Sequence, residues 1–243
     1  MPESDAEIAR ARLLAIVPDG FEEIAGGDWV ELAAYTNSAG EARIRNAFSE
    51  VVVRLVADGW EDRWREFHRP LHVAGLWIGP PWEWTTEADP AVVVDPGRAF
   101  GTGAHPTTRA CIELLARLER GSLLDAGCGS GVVAVAASRL GYAPVLALDA
   151  DPVAVEVARA TALRNDVDVE VRRVDVLVDE IGEADVVVAN IELGVVEALL
   201  RRRPAPTAVT SGYLVREAPR TAGWARVSRL ELDGWAADVL VAT

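Results

Sequence analysis

The chain has 243 residues, half of them hydrophobic, with 38 acidic against 24 basic side chains and a net charge of −14 at pH 7. That length supports one large domain or a large one carrying a small one, and the acidic balance repels nucleic-acid phosphates unless basic residues segregate on one face. The two cysteines, Cys111 and Cys128, suit a reducing compartment. With no signal-peptide-like start and no run of about 18 apolar residues, a cytoplasmic protein is expected.

In chain order, 11–18, 29–36, 41–48 and 50–57 read as strand-sized runs and 19–27 as a short helix. Residues 1–57 are therefore expected to form a small α+β domain. Residues 58–70 have helical character, with Trp60 and Trp64 at i, i+4 and Pro70 closing the segment, and are expected to be a linker helix. The main domain then covers 71–243. It begins with "LHVAGLWIGPPWEW" and "AVVVDPG", which read as an irregular hairpin around a polar, Pro-containing stretch.

From Gly121 onward short apolar runs alternate with helical ones. Strands are expected at 122–126, 144–150, 167–174, 184–190 and 206–212, and helices at 131–140, 152–165, 192–203 and 215–223. Such alternation argues for a mostly parallel sheet covered by helices on both faces. The last 19 residues hold two strand-like runs around "DGWA", an antiparallel finish. Arg201, Arg202 and Arg203 mark a helix C-terminus, where cations complement the macrodipole.

Two Gly-rich loops flank one predicted helix. "LLDAGCGSG" sets Asp125 at a strand end and glycines 127, 129 and 131 in the turn to a helix, where small residues let the backbone approach a nucleotide-like ligand. A dinucleotide fingerprint would need glycine at 132, which is Val132, so a dehydrogenase fits least. The next strand delivers Asp149 to the ligand-binding edge, where a carboxylate can accept both hydrogen bonds of a ribose diol. Asp151 reads as the N-cap before Pro152. Asn190 ends the fourth strand at the same edge, and its amide can accept a hydrogen bond from an amine. Glu192 either interacts with the following helix N-terminus or meets a substrate cation; Asp175 either reaches an adenine edge or closes a turn. His105 lacks the Cys or carboxylate spacing of a metal site, and no metal is expected.

The combination of "DPGRAFGTGAHPTT", "DAGCGSGVVAVAA", "ALDADPVAVEVA", "VVVANI" and "TSGYL", in this order and spacing, resembles the bacterial ribosomal protein L11 methyltransferases, the PrmA family. "DGWEDRWREFHRP" and "LWIGPPWEW" are similar to that family's inter-domain helix and entry hairpin, so the resemblance covers residues 58–243. It implies an α/β fold, a class I methyltransferase Rossmann-like sheet with an antiparallel last strand, behind a small N-terminal α+β domain that grips the substrate. It further implies S-adenosyl-L-methionine as cofactor and methylation of lysine side-chain or N-terminal amines of a large-subunit ribosomal protein, by a monomer that binds neither membrane nor nucleic acid directly.

Carried over residue by residue, the resemblance places cofactor contacts on Thr108, Gly127, Asp149 and Asn190, together with Phe100, Gly101, Thr102, Asp125 and Gly129. Asn190 would orient the acceptor amine, with Glu192 a further candidate. Residues 99–108 would be a lid over the cofactor's methionine end. Three features depart from the family: Glu192 replaces an aliphatic residue after Asn-Ile, Arg69 separates His68 from Pro70, and residues 1–57 carry no matching motif. Two other readings stay open, a methyltransferase of a small-molecule amine or nucleic-acid base, and a non-catalytic binding module.

Overall fold

The computed structural model describes residues 9, 12, 13, 16, 17, 22–25, 29–34, 36, 38–48, 50–53, 69–88, 90–95 and 103–243. The chain divides into two compact units, residues 1–60 and 61–243. The helix expected over 58–70 lies, up to residue 68, outside the described residues, and residues 69 and 70 are not helical.

In the first unit, β1 (Glu22–Ala25) pairs antiparallel with β2 (Val30–Ala33), Glu22 opposite Ala33, and α1 spans Ser38–Ala47. Three expectations are reversed here. The segment read as a short helix contributes β1, and the strand-sized run at 41–48 lies largely in α1. Its residues Glu, Ala, Arg, Ile, Arg, Asn and Ala include good helix formers, and only Ile44 is β-branched; Arg45 Nε donates to Glu41 Oε1 at 2.8 Å one turn away. The expected strand at 11–18 is helical at Arg12, Leu13 and Ile16. Ala9, Leu13 and Val17 are buried at four-residue spacing, a helical period that a window starting at residue 11 hides. Residues 51–53, within the expected fourth strand, are not in a strand.

The second unit opens with β3 (Leu71–Val73) and β4 (Leu76–Gly79), an antiparallel hairpin. Ala74 and Gly75 both have positive φ in its two-residue turn, as such hairpins favour. The predicted hairpin partner, β5 (Ala91–Val93), instead runs parallel to β4. Asn165 takes the place of a further strand: its Oδ1 accepts from Val93 N at 2.7 Å and its Nδ2 donates to Val93 O at 2.8 Å.

The rest is a seven-stranded sheet built from β6 (Leu123–Ala126), β7 (Val145–Asp149), β8 (Val169–Arg173), β9 (Val186–Asn190), β10 (Thr207–Leu214), β11 (Trp224–Leu232) and β12 (Trp235–Ala242), in the order β11-β12-β10-β9-β6-β7-β8. The β6, β7, β8, β9 and β10 pairings are parallel, and β12 runs antiparallel to both β10 and β11. The chain moves outward through β7 and β8, then returns to the other side of β6. That reversal opens a crevice at the C-terminal ends of β6 and β9, the place where open α/β sheets bind ligands.

Burial explains the strand types. β9, Val-Val-Val-Ala before Asn190, is buried on both faces, so it reads as a continuous apolar run. Val186 and Val188 pack on one side with α2 (Pro106–Leu115), α3 (Val132–Arg139) and α4 (Pro152–Arg164). Val187 and Ala189 pack on the other with α5 (Leu193–Arg201). Each fully buried Val or Leu contributes roughly 1.5–3 kcal/mol.

The helix expected at 215–223 is absent. Leu214 N donates to Glu217 Oε2 at 2.8 Å, which folds this segment into a turn, and Pro219, with no N–H, cannot continue a helical ladder. The arginine trio closes the end of α5: Arg202 Nη1 donates to Val176 O at 2.6 Å and Arg203 Nη2 to Gly223 O at 2.7 Å and Thr243 O at 2.9 Å. Arg202 and Arg203 thus tie the end of α5 to the segment after β8 and to the carbonyls of Gly223 and Thr243. No helix among the described residues is long and apolar enough to cross a membrane.

Candidate active site

Three strand ends converge at the crevice. β6 delivers Asp125 and the turn that follows it, β7 delivers Asp149, and β9 delivers Asn190. The turn is held by Gly127 N and Cys128 N, which donate to Leu148 O at 2.8 and 3.0 Å. At Gly127 φ is +75°, and an added Cβ would stand 2.5 Å from Ile191 Cγ2. At Gly131, the N-cap of α3, φ is +79° and an added Cβ would come within 3.0 Å of Ala158 Cβ. Both positions exclude a side chain twice over, by backbone conformation and by space.

Half-buried Asp149 braces this loop: Oδ2 accepts from Gly129 N at 2.9 Å and Oδ1 from Asp151 N at 2.9 Å. Asp151 in turn caps α4, accepting from Val153 N at 2.9 Å ahead of Pro152. Charge-assisted bonds of this kind are about twice as strong as neutral ones.

Asn190 Nδ2 donates to Thr108 Oγ1 at 3.2 Å. Thr108 is buried in the first turn of α2, so this bond joins the end of β9 to the helix that follows the first Gly-rich loop. His105 is the N-cap of α2, its Nδ1 lying 2.7 Å from Thr107 Oγ1, and Pro106 occupies the first helical position. The imidazole meets the Trp235 ring edge-on, centroids 5.0 Å apart. That contact and the Arg109–Asp233 pair at 3.5 Å set the β11–β12 turn against the start of α2. Sequence alone does not single out Trp235; its local signal is "DGW", a turn residue pair followed by an aromatic. Phe100, Gly101 and Thr102, with the first part of the expected lid, lie outside the described residues.

Asp125 is 2% exposed. Burial pushes its carboxyl up to about 7, an N–H bond from Ala134 opposes this, and the Asp149 charge adds to it. Burial, and then Asp125, raises the thiols of Cys111 and Cys128 above the usual cysteine range. Glu192 is exposed at the N-cap position of α5 and makes no side-chain capping bond. Asp175 closes a turn, its Oδ1 accepting from Leu177 N at 2.9 Å. Among the described residues no three His, Cys, Asp or Glu side chains gather as a metal site.

A cavity of about 350 Å³, lined in part by Leu200, Thr221, Trp224, Arg226 and Asp238, lies toward the opposite end of the sheet. Its buried Asp238 is engaged by Tyr213 Oη at 3.1 Å and by Arg229 Nε at 3.2 Å, so its carboxylate anchors β12 to its neighbours.

The family pattern described as ribosomal protein L11 methyltransferase (PrmA) matches residues 28–237. A ribosomal protein L11 methyltransferase from Symbiobacterium thermophilum is 40% identical over 196 residues, 74% of this chain and 64% of that protein. One from Burkholderia pseudomallei is 37% identical over 244 residues, 93% of this chain and 76% of that protein. The match to the Symbiobacterium protein thus spans less than two thirds of its length. A solved ribosomal protein L11 methylase from Lactobacillus delbrueckii subsp. bulgaricus shares the fold, with a TM-score of 0.62 and 24% identity, over 69% of this chain and 95% of that one. The sheet is that of a class I methyltransferase, and with most of its length matched the chain belongs to the ribosomal protein L11 methyltransferase (PrmA) family.

Proposed function

We propose that this chain is a cytoplasmic, monomeric S-adenosylmethionine-dependent protein methyltransferase. It adds methyl groups to lysine side-chain or N-terminal amines of a large-subunit ribosomal protein of the L11 type. The observation that carries the reading is the Asn190–Thr108 bond beside the Gly-rich loop and Asp149, in a chain of this family. The cofactor fits this donor set: a loop with no side chain at Gly127 would admit it, the Asp149 carboxylate at the end of β7 could accept from a ribose diol, and Asp125 offers a buried oxygen without a hydrogen-bond partner. Thr108, Gly127, Gly129, Asp149 and Asn190 would hold it, with Asp125 behind them; Phe100, Gly101 and Thr102 are proposed to complete the site. S-adenosylmethionine supplies an electrophilic methyl group on a sulfonium.

The residues of this chain do the rest by placement. Alignment of nucleophile and methyl group at near-attack distance can lower the barrier by roughly 7–11 kcal/mol, so no strong general base is needed. An acceptor lysine, with a reference pKa of about 10.4, must arrive neutral, and a water-poor site favours that form. With Nδ2 committed to Thr108, Asn190 Oδ1 is left to accept a hydrogen bond from the amine and aim its lone pair. Glu192, exposed two residues on, is placed to attract the acceptor while it is still a cation. The domain division proposed is 1–57 for substrate recognition, 58–70 as linker and 71–243 for catalysis.

The test is incubation with S-adenosylmethionine and purified large-subunit ribosomal proteins, read by intact mass. The sequence contains no lysine, all 24 basic residues being arginine, so methylated lysine in the digest comes from the substrate alone. Mass gain in methyl steps on one ribosomal protein supports the proposal. Gain on a free amine or nucleic acid only would replace it with another substrate class, and cofactor binding without any transfer would make the chain a binding module.

A further inference from the structure

Two carboxylates are buried among the described residues, and their surroundings differ. Asp238 has Arg229 at 3.2 Å and a tyrosine hydroxyl. Among the described residues Asp125 has no such counter-charge. One oxygen is satisfied by the Ala134 N–H at the start of α3, while Oδ2 is shielded from solvent and has no hydrogen-bond partner. The ionisable groups acting on it among the described residues are Cys111 from α2, Cys128 from the loop and Asp149 from β7, none of them a cation. A bare carboxylate here would stand buried and uncompensated next to the Asp149 charge, a state that costs several kcal/mol; a protonated one would not.

Asp125 also stands two residues before Gly127, beneath the loop where a ligand bearing an ammonium and a sulfonium is proposed to settle. We propose that Asp125 holds a proton in the ligand-free protein and releases it to solvent when this cationic ligand binds, so that cofactor binding and proton release form one equilibrium. The inference rests on the cofactor reading above. The balance is simple: the Asp125 O–H bond breaks, the proton goes to buffer, the electron pair stays on the carboxylate, and the ligand's positive charge compensates it. With a carboxyl near pH 7, release is roughly half a proton at pH 7 and greater at pH 6, and affinity falls as pH drops below 7, by up to about tenfold per unit.

Titration calorimetry of the full chain with S-adenosylmethionine, in phosphate and in Tris at pH 6, 7 and 8, tests this. The expected result is buffer-dependent heat at pH 6 and 7 that fades at pH 8. Release should be smaller with S-adenosylhomocysteine, which lacks the sulfonium charge, and absent in Asp125→Asn. Should that variant fold poorly, the two ligands on the wild type decide: release that is equal for S-adenosylmethionine and S-adenosylhomocysteine overturns the linkage. Binding whose heat is independent of buffer, or release unchanged in Asp125→Asn, overturns the proton linkage while leaving the cofactor reading intact. No binding at any pH overturns both.

Discussion

Asn190 Nδ2 donates to Thr108 Oγ1 across 3.2 Å, linking positions 82 residues apart in the chain. One bond therefore couples the end of β9 to the helix that begins after the first Gly-rich loop. Thr108→Val removes the acceptor with little change of shape. A hydrogen bond of this kind contributes about 1 kcal/mol, so a three- to tenfold weaker cofactor Kd is expected by calorimetry. Asn190→Leu also removes the oxygen proposed to aim the amine, and turnover should fall by roughly 10²-fold or more with cofactor affinity far less affected. Equal losses in both quantities would contradict the orienting role.

Asp149 is the brace of the second loop, through Gly129 N and Asp151 N. Asp149→Ala leaves both donors without their acceptor and should cost about 1–3 kcal/mol of stability, read as a lower urea midpoint, besides weakening the cofactor. Asp149→Asn keeps one acceptor oxygen and should lose less. Identical midpoints for the two variants would show that the loop holds itself without the carboxylate.

Asp125 makes stability depend on pH. Its carboxyl is raised from 3.8 in the free state to about 7 in the fold. The folded chain therefore binds more protons between these values. The associated stability is complete below pH 4, declines as pH rises through 7 and is flat above, for a total of about 4 kcal/mol. Asp125→Asn escapes this decline. The melting-temperature difference between the variant and wild type should shift in the variant's favour from pH 5 to pH 8, and a constant difference would refute the assignment.

Cys111 and Cys128 should be inert in the native state. Their thiols are buried and held above the ordinary range beside Asp125, so little thiolate forms. Iodoacetamide at pH 8 should add nothing to the native chain and two carbamidomethyl groups after denaturation, as intact mass will show.

The amino-acid pattern placed Asp125, Asp149 and Asn190 at strand ends, and the fold has them there. Asp125, Asp149 and Asn190 each close a short apolar run, and the glycines at 127 and 131 sit where a strand must turn into a helix. These signals are local, because a strand buried on both faces and a cap such as Asp151–Pro152 are written in neighbouring residues. The N-terminal unit was less legible: with short runs of mixed propensity, α1 and β1 exchanged types relative to expectation, since packing overrides weak local preference. The segment 215–223 fails as a helix because Glu217 binds back to Leu214 N, a choice that the β10–β12 pairing makes.

How these residues act on one another depends on approaches between distant elements. The Asn190–Thr108 bond, the His105–Trp235 contact and the brace from Asp149 to Gly129 all cross between elements, and a sequence records residue types but not approach distances. The protonation of Asp125 is the clearest case. In the chain it is one acid among 38; the fold buries it under α3 beside Asp149, with no cation acting on it among the described residues, and that desolvation raises its carboxyl well above the usual range.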